Sequence, residues 1–362
     1  MKTSSPRRKL RTINRTALPK VAPWSPEKSL RMQTLTTTTA RSARAPARRR
    51  LAARCAAVVF ELDSEGRRRA KYEPEGWLFR TWAHEGRELR THYSRTGQGP
   101  PVVLVHGFGA SSYHWRYQIA SLAEHHTVYA VCLVGYGLSE KANVAYSIPF
   151  WASQVSDFLQ NVVQEPCFLA GNSIGAVTAL AAAEAVPKLT RGVMLLNAAG
   201  RFADPDTSPA QQQPDSPNPL ADLFRRVVAT AIFYSTRFRI ASILGSVYVN
   251  KGQLDEALVE SISAPARDPA ALEAFIQISS SGSRSPTTLN AYLSSLRDAG
   301  IPLCVIQGQA DPWMTPSKGQ KLVALYPGAT SINLNAGHCP HDDAPEECSH
   351  AMLGWMAGVL SS

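Results

Sequence analysis

Gly171-Asn172-Ser173-Ile174-Gly175 stands between the apolar run Cys167–Ala170 and the alanine-rich stretch Ala176–Val186. A short apolar run that ends at a glycine reads as a buried strand, and the stretch after it as a helix. A serine at such a junction sits on a tight turn. Glycines two positions before and after it carry no side chain to collide there, so the hydroxyl projects above the sheet edge. The helix N-terminus behind the serine favours the negative charge that develops when it attacks an electrophile.

Outward from this turn, strand and helix patterns alternate. Leu78–Trp82 and Leu89–Ser94 read as an opening antiparallel pair. Pro101–His106, Thr127–Val134, Cys167–Gly171, Gly192–Asn197, Pro302–Gly308 and Thr330–Leu334 read as buried parallel strands. Phe150–Val163, with Trp151, Val155, Phe158, Leu159 and Val162 on one face, and Pro345–Leu360 have helical spacing. The expected fold class is α/β: a mostly parallel eight-stranded sheet flanked by helices. The alternation breaks over residues 201–297. There a polar loop, Asp204–Asn218, precedes helical patterns, with Asn218-Pro219 and Asp268-Pro269 as helix starts. This stretch is expected to be a helical cap or lid inserted between two halves of the core, residues 56–200 and 298–362.

A serine hydroxyl needs an adjacent base, held in turn by a third group. Of nine histidines, His338 follows a late apolar strand in Asn335-Ala336-Gly337-His338 and is the expected base. His341 is its rival but is expected to pack locally or bond backbone; His106 and His114 are expected to be structural. Asp311 follows the strand Pro302–Gly308 across Gln309-Ala310 and is the expected acid. Asp342 and Asp343 are alternatives, expected instead as surface or cap residues. The chain order Ser173, Asp311, His338 fits a sheet of this kind. The oxyanion donors are expected to be the backbone N–H groups of Ile174 and Phe108, with Gly109 second, in the loop Gly107-Phe108-Gly109. The chemistry requires no metal and no organic cofactor.

The net charge of +10 is unevenly spread. Residues 1–55 hold 15 Lys and Arg and one acid, whereas the rest hold 23 Lys and Arg against 27 Asp and Glu. The body therefore lacks the basic stripe that nucleic-acid binding needs. The Arg-, Ser-, Thr- and Ala-rich N-terminal segment, without a central apolar stretch, is expected to be an organellar transit peptide, cleaved near residues 52–57. No uninterrupted apolar run reaches 18 residues, so no membrane span is expected. Arg225, Arg226, Arg237 and Arg239, among apolar neighbours in the expected cap, are compatible with peripheral contact to an anionic membrane. The six cysteines form no C-x-x-C pair, and buried free thiols are expected.

The stretch Val-Leu-Val-His-Gly-Phe-Gly-Ala-Ser-Ser-Tyr-His-Trp over 103–115, the Gly-Asn-Ser173-Ile-Gly turn, Gly308-Gln-Ala-Asp311-Pro-Trp313 and Ala336-Gly-His338-Cys-Pro-His-Asp342 resemble the chloroplast α/β-hydrolases of plants and algae. The resemblance covers roughly residues 75–360. It points to the pheophytinases and related dephytylases, and more distantly to bacterial C–C bond hydrolases with a Gly-Asn-Ser turn. It implies the α/β-hydrolase fold, a Ser173–His338–Asp311 triad, a plastid address, and a small-molecule ester with a large apolar part, such as a phytyl ester of pheophytin or chlorophyll or a plastid lipid. A C–C bond hydrolase or an acyltransferase would use the same triad, and a non-catalytic ligand-binding protein would use the same fold. Two positions depart from the family pattern. Cys132 replaces an acid before Val134-Gly135-Tyr136-Gly137, and Ala176 replaces a second glycine after the serine turn.

Overall fold

Pro101–Val105 is apolar and buried at all five positions, because both faces of the sheet around it are covered. Val103 and Val105 point into one core layer, and Val102 and Leu104 into the other. The same alternation runs through the neighbouring strands. Leu169, Val193, Leu195 and Val305 face the first layer; Phe168, Ala170, Met194, Leu196, Cys304 and Ile306 face the second.

The computed structural model describes residues 60–62, 68–70, 77–203, 219–282 and 287–362. The expected transit peptide and the loop Asp204–Asn218 lie outside them, as do Cys55 and the side chains of Arg225 and Arg237. Strands β1 (Phe60–Leu62) and β2 (Arg68–Ala70) form a separate antiparallel pair. The main sheet comprises β3 (Trp77–His84), β4 (Arg87–Thr96), β5 (Pro101–Val105), β6 (Thr127–Val131), β7 (Cys167–Asn172), β8 (Thr190–Leu196), β9 (Leu303–Gly308) and β10 (Thr330–Leu334). Its order is β10-β9-β8-β7-β5-β6-β4-β3. The six strands from β10 to β6 are parallel; β4 pairs antiparallel with β6 and β3. The eight-stranded, mostly parallel sheet is the one expected. Strand β10 differs: its side chains are partly or fully exposed, because it is the edge strand and only one neighbour covers it.

Helices α1 (Arg116–Leu122), α2 (Ile148–Phe158), α3 (Ile174–Ala185), α7 (Leu289–Asp298), α8 (Pro316–Leu325) and α10 (Pro345–Ser361) cover the sheet. Trp115, Ile119 and Leu122 join Cys348, Met352 and Met356 on one face. Buried residues of α2, α3 and α7 fill the other. Ser147 caps α2 by accepting the Phe150 N–H (3.2 Å). The helix runs into a wider turn over Leu159–Val163 and stops at Gln164, in the left-handed conformation (φ 60°).

Between β8 and β9 lie α4 (Pro219–Val247), α5 (Glu256–Ser263), α6 (Ala271–Gln277) and α7. Asp255 caps α5 through the Leu258 N–H (2.7 Å). The Asp268-Pro269 start is displaced: Asp268 accepts the Ala270 N–H (2.9 Å), and α6 begins at Ala271. Helix α7 falls inside the range expected for the cap, yet Leu289, Tyr292, Leu293 and Leu296 pack into the sheet's core layer. Their i, i+3, i+4, i+7 spacing makes one apolar stripe, and the sheet covers it. The part of the insertion with its own small core is α4–α5, where Ile240, Leu244, Val247, Tyr248 and Leu258 cluster with Cys339. The five described cysteines are free and buried, as expected. Among the described residues, no single helix is long and apolar enough to cross a membrane.

Candidate active site

Ser173 is held at φ 57°, ψ −119°, a conformation that costs a non-glycine residue about 1–3 kcal/mol. Three backbone hydrogen bonds impose it. The Ser173 N–H donates to Leu196 O (3.0 Å), and its carbonyl accepts from the N–H groups of Ala176 and Ala199 (both 3.1 Å). The flanking glycines leave no room for a side chain. A Cβ on Gly171 would lie 2.2 Å from Gly175 O, and one on Gly175 would lie 2.3 Å from Val105 O. Both obstacles are backbone. Gly175→Ala is therefore expected to destabilise the fold by about 3 kcal/mol, read as a lowered urea midpoint. A denaturation midpoint equal to that of the parent would contradict this packing.

Adjacency of β5 and β7 brings the loop after β5 to the serine: a Cβ on Gly107 would lie 3.3 Å from Ser173 Cβ. That loop carries Phe108, half-exposed, with its ring edge-on to Tyr136 and Phe275 at 6.0 and 6.2 Å. Gly109 has φ 72°, the left-handed region. Ile174 is the first residue of α3, where a helix has no intrahelical partner for its N–H.

Asp311 and His338 meet at the C-terminal ends of β9 and β10, with 2.7 Å between Oδ2 and His338 Nδ1. Asp311 also accepts from Asn197 Nδ2 (2.6 Å, to Oδ2) and from the Trp313 N–H (2.8 Å, to Oδ1). Burial pushes its carboxyl up, but the hydrogen bonds from His338, Asn197 and Trp313 outweigh that and hold it below the ordinary carboxylate value. An ionised carboxylate only accepts, so His338 Nδ1 carries the proton and Nε2 is left as the acceptor. The Trp313 ring, itself half-exposed, lies 5.0 Å from the imidazole. Ser173 and His338 are both buried. Ser173 Oγ and His338 form no hydrogen bond among the described residues. Contacts of this kind commonly tighten only when substrate binds.

His106, His114 and His341 are each engaged in local contacts. In His106, Nε2 accepts the Leu133 N–H (3.1 Å), so Nδ1–H donates to Gly107 O (2.7 Å); burial lowers its pKa to about 4. His114 pairs with Tyr248 Oη (2.7 Å). His341 packs on Trp115 and His114, with ring centroids at 4.2 and 4.7 Å, and among the described residues its ring nitrogens have no hydrogen-bond partner, backbone or other. Burial drives its pKa well down, so it stays neutral.

Asp342 and Asp343 are not surface residues. Both are buried, because the short helix α9 (Pro340–Asp343) tucks under the insertion. Asp342 pairs with Arg116 Nε (2.8 Å) and accepts from Tyr248 Oη (3.0 Å). Burial pushes its carboxyl up to about 6, against the opposing pull of the Arg116 guanidinium. Cys132, at the position of the family's acid, sits 3.2 Å from His92 Nδ1 and 3.3 Å from Ser112 Oγ, a local polar contact in the loop after β6.

The role of Asn197 is not among those expected from the sequence. Asn197 directly follows β8 at φ 43°, tolerated by asparagine better than by most residues. Its amide also accepts the Gly308 N–H (2.9 Å), tying β8 to β9 beside Asp311. Asn172 Nδ2 similarly reaches His338 O (3.0 Å). The available signal was a polar amide closing an apolar strand, as in Leu195-Leu196-Asn197. Asn197→Ala is expected to cost about 1–3 kcal/mol, measured by denaturant melting, because it leaves two buried groups short of a partner. A loss under a few tenths would refute this role.

A cavity of about 130 Å³ lies beside Phe108, lined by Tyr136 and by Phe233, Ile240, Phe275 and Ile278 of the insertion. Ser173, Asp311 and His338 are in the wall neither of this cavity nor of a larger open groove of about 700 Å³, which includes Arg116, Gln253 and Asp343. Among the described residues, no three His, Cys, Asp or Glu side chains gather to hold a metal ion.

An open parallel sheet with a strained serine turn after its fifth strand and an Asp–His pair beyond it defines a hydrolase class. Residues 102–351 match the Alpha/beta hydrolase family, and the chain belongs to that family. It is 30% identical over 319 residues to "Pheophytinase, chloroplastic" of Arabidopsis thaliana, covering 76% of this chain but 65% of that protein, just under two thirds of its length. It is 29% identical over 273 residues to a pimeloyl-[acyl-carrier protein] methyl ester esterase of Stenotrophomonas maltophilia, covering 74% of this chain and 97% of the relative. Among solved structures, a thermophilic esterase from Thermogutta terrifontis superposes with TM-score 0.62 at 22% identity, over 78% of this chain and 98% of that one, a likeness of fold. The curated relatives are thus hydrolases and esterases built on this fold.

Proposed function

We infer that the protein is a serine hydrolase that cleaves a carboxylic ester carrying a large apolar group. The observation that carries this reading is the 2.7 Å His338–Asp311 hydrogen bond beside the strained Ser173 turn. Ser173 Oγ attacks the acyl carbon as His338 Nε2 takes its proton. Asp311 stabilises the imidazolium, and the oxyanion lies against the N–H groups of Ile174 and Phe108. The alcohol leaves with the proton from His338. Water then attacks the acyl-enzyme by the same route and frees the acid.

The apolar lining of the cavity beside Phe108 supports an apolar group on the substrate, and the named relatives support an ester. A phytyl ester of pheophytin or chlorophyll, or a plastid lipid, fits both. The plastid address rests on the acid-poor N-terminal composition and on the relative's name. In this reading residues 219–282 act as a cap. Its exposed Val227, Val228, Ile232 and Tyr234, together with Arg239, would meet an anionic membrane; Arg226 is engaged with Glu273 (2.6 Å). Salt-sensitive flotation with anionic liposomes tests that contact.

The substrate test is incubation of the purified protein, with Ser173→Ala as control, with pheophytin, chlorophyll, a galactolipid, short nitrophenyl esters and a vinylogous diketone. Turnover of a bulky ester supports the reading. Turnover of the diketone alone would make it a C–C bond hydrolase, transfer to an added alcohol an acyltransferase, and ligand binding without turnover a receptor.

A further inference from the structure

We propose that Asp343 is a positioning residue for the base, a latch that fastens the helical insertion to the loop carrying His338. The proposal rests on the triad assignment above. Asp343 is 3% exposed, and a buried carboxylate is costly unless its oxygens are hydrogen-bonded. Three backbone N–H groups meet it. Gly337 donates to Oδ2 (2.6 Å) from the base loop; Val249 (2.9 Å, to Oδ2) and Asn250 (2.7 Å, to Oδ1) donate from the insertion. One side chain thus bridges two segments about 90 residues apart in the chain.

Other contacts draw the same two segments together. The His338 N–H donates to Val247 O (2.9 Å), at the C-terminal end of α4, where helix carbonyls lack intrahelical partners. A Cβ on Gly337 would lie 1.8 Å from that carbonyl, so only glycine permits the approach. Next door, Asp342 holds Tyr248 and Arg116, and Arg116 Nη1 reaches Asp255 (2.7 Å). His338 is consequently pinned at its N–H by the insertion and at its carbonyl by Asn172.

The insertion also supplies Phe233, Ile240 and Phe275 to the apolar cavity. A substrate that shifts those walls shifts Val247–Asn250, and through Asp343 it shifts His338. Among the described residues Ser173 Oγ and His338 share no hydrogen bond, and this linkage couples occupancy of the cavity to alignment of the base. Loss of the latch acts on kcat more than on KM.

The test uses the full chain and its Asp343→Asn variant, which keeps one acceptor oxygen and turns an NH2 group toward N–H donors. Nitrophenyl ester turnover is normalised to sites labelled by a fluorophosphonate, so unfolded chains do not count. Hydrogen–deuterium exchange is followed at residues 336–339 and 247–250. Met352→Ala, in the core layer with Trp115 and Leu122 and in none of these hydrogen bonds, controls for a general loss of stability. The expected result is a fall in kcat per labelled site of about 10–100-fold with KM within about twofold, and faster exchange in both segments. A kcat per labelled site equal to the parent's, or a fall matched by Met352→Ala, overturns the proposal. If the parent chain neither labels nor turns over ester, the triad reading fails instead. The exchange readout then decides the latch: a change in both segments sustains the bridge, and a change in one or neither overturns it.

Discussion

Ser173→Ala is expected to retain the fold and lose ester hydrolysis by about 10⁴-fold or more in kcat. The serine backbone is fixed by Leu196 O and by the N–H groups of Ala176 and Ala199, none of which involves the hydroxyl. Alanine therefore inherits the same turn with the same strain, and thermal stability should hardly move. What disappears is the atom that forms the acyl-enzyme. The oxyanion donors remain, so a trace above the uncatalysed rate should persist. Steady-state hydrolysis of a nitrophenyl ester checks this; activity within tenfold of the parent would remove Ser173 from the chemistry.

The second large effect is expected at Asp311→Asn, a loss of about 10³–10⁴-fold in kcat. The aspartate fixes the proton on His338 Nδ1 because an ionised carboxylate can only accept. An amide can turn its NH2 toward Nδ1, which then becomes the acceptor. The proton moves to Nε2, the atom that must receive the serine's. The variant should also flatten the acid side of the stability curve. The folded carboxyl is held below its unfolded value, so its ionised form adds stability that is fully present above the unfolded value and lost as pH falls through the folded one. Urea melts between about pH 3 and 6 should show a shallower decline for Asp311→Asn than for the parent. Parallel curves would mean that the carboxylate has no special environment.

The sheet and the serine turn were legible because their signals are local. Continuous apolar runs closed by glycine mark β5 and β7, and two glycines around Ser173 mark the turn that their missing side chains permit. Position along the chain then singled out His338 and Asp311. Strand β10 misled because an edge strand and a covered one share an apolar sequence; its neighbours decide which it is. Asp342 and Asp343 looked like surface acids since their partners, Arg116 and the 248–250 segment, lie more than 90 residues away. Asn197 was illegible for the same reason, reaching Asp311 across 114 positions. Helix α7 had the composition of the insertion but the stripe of a core helix, and the stripe prevailed.

Labelling the purified protein with a fluorophosphonate and locating the adduct by peptide mass spectrometry tests the central claim most directly. The account predicts one adduct per chain, on the peptide containing Ser173, and none in Ser173→Ala. An adduct on another residue, or no adduct in a folded protein, would contradict it.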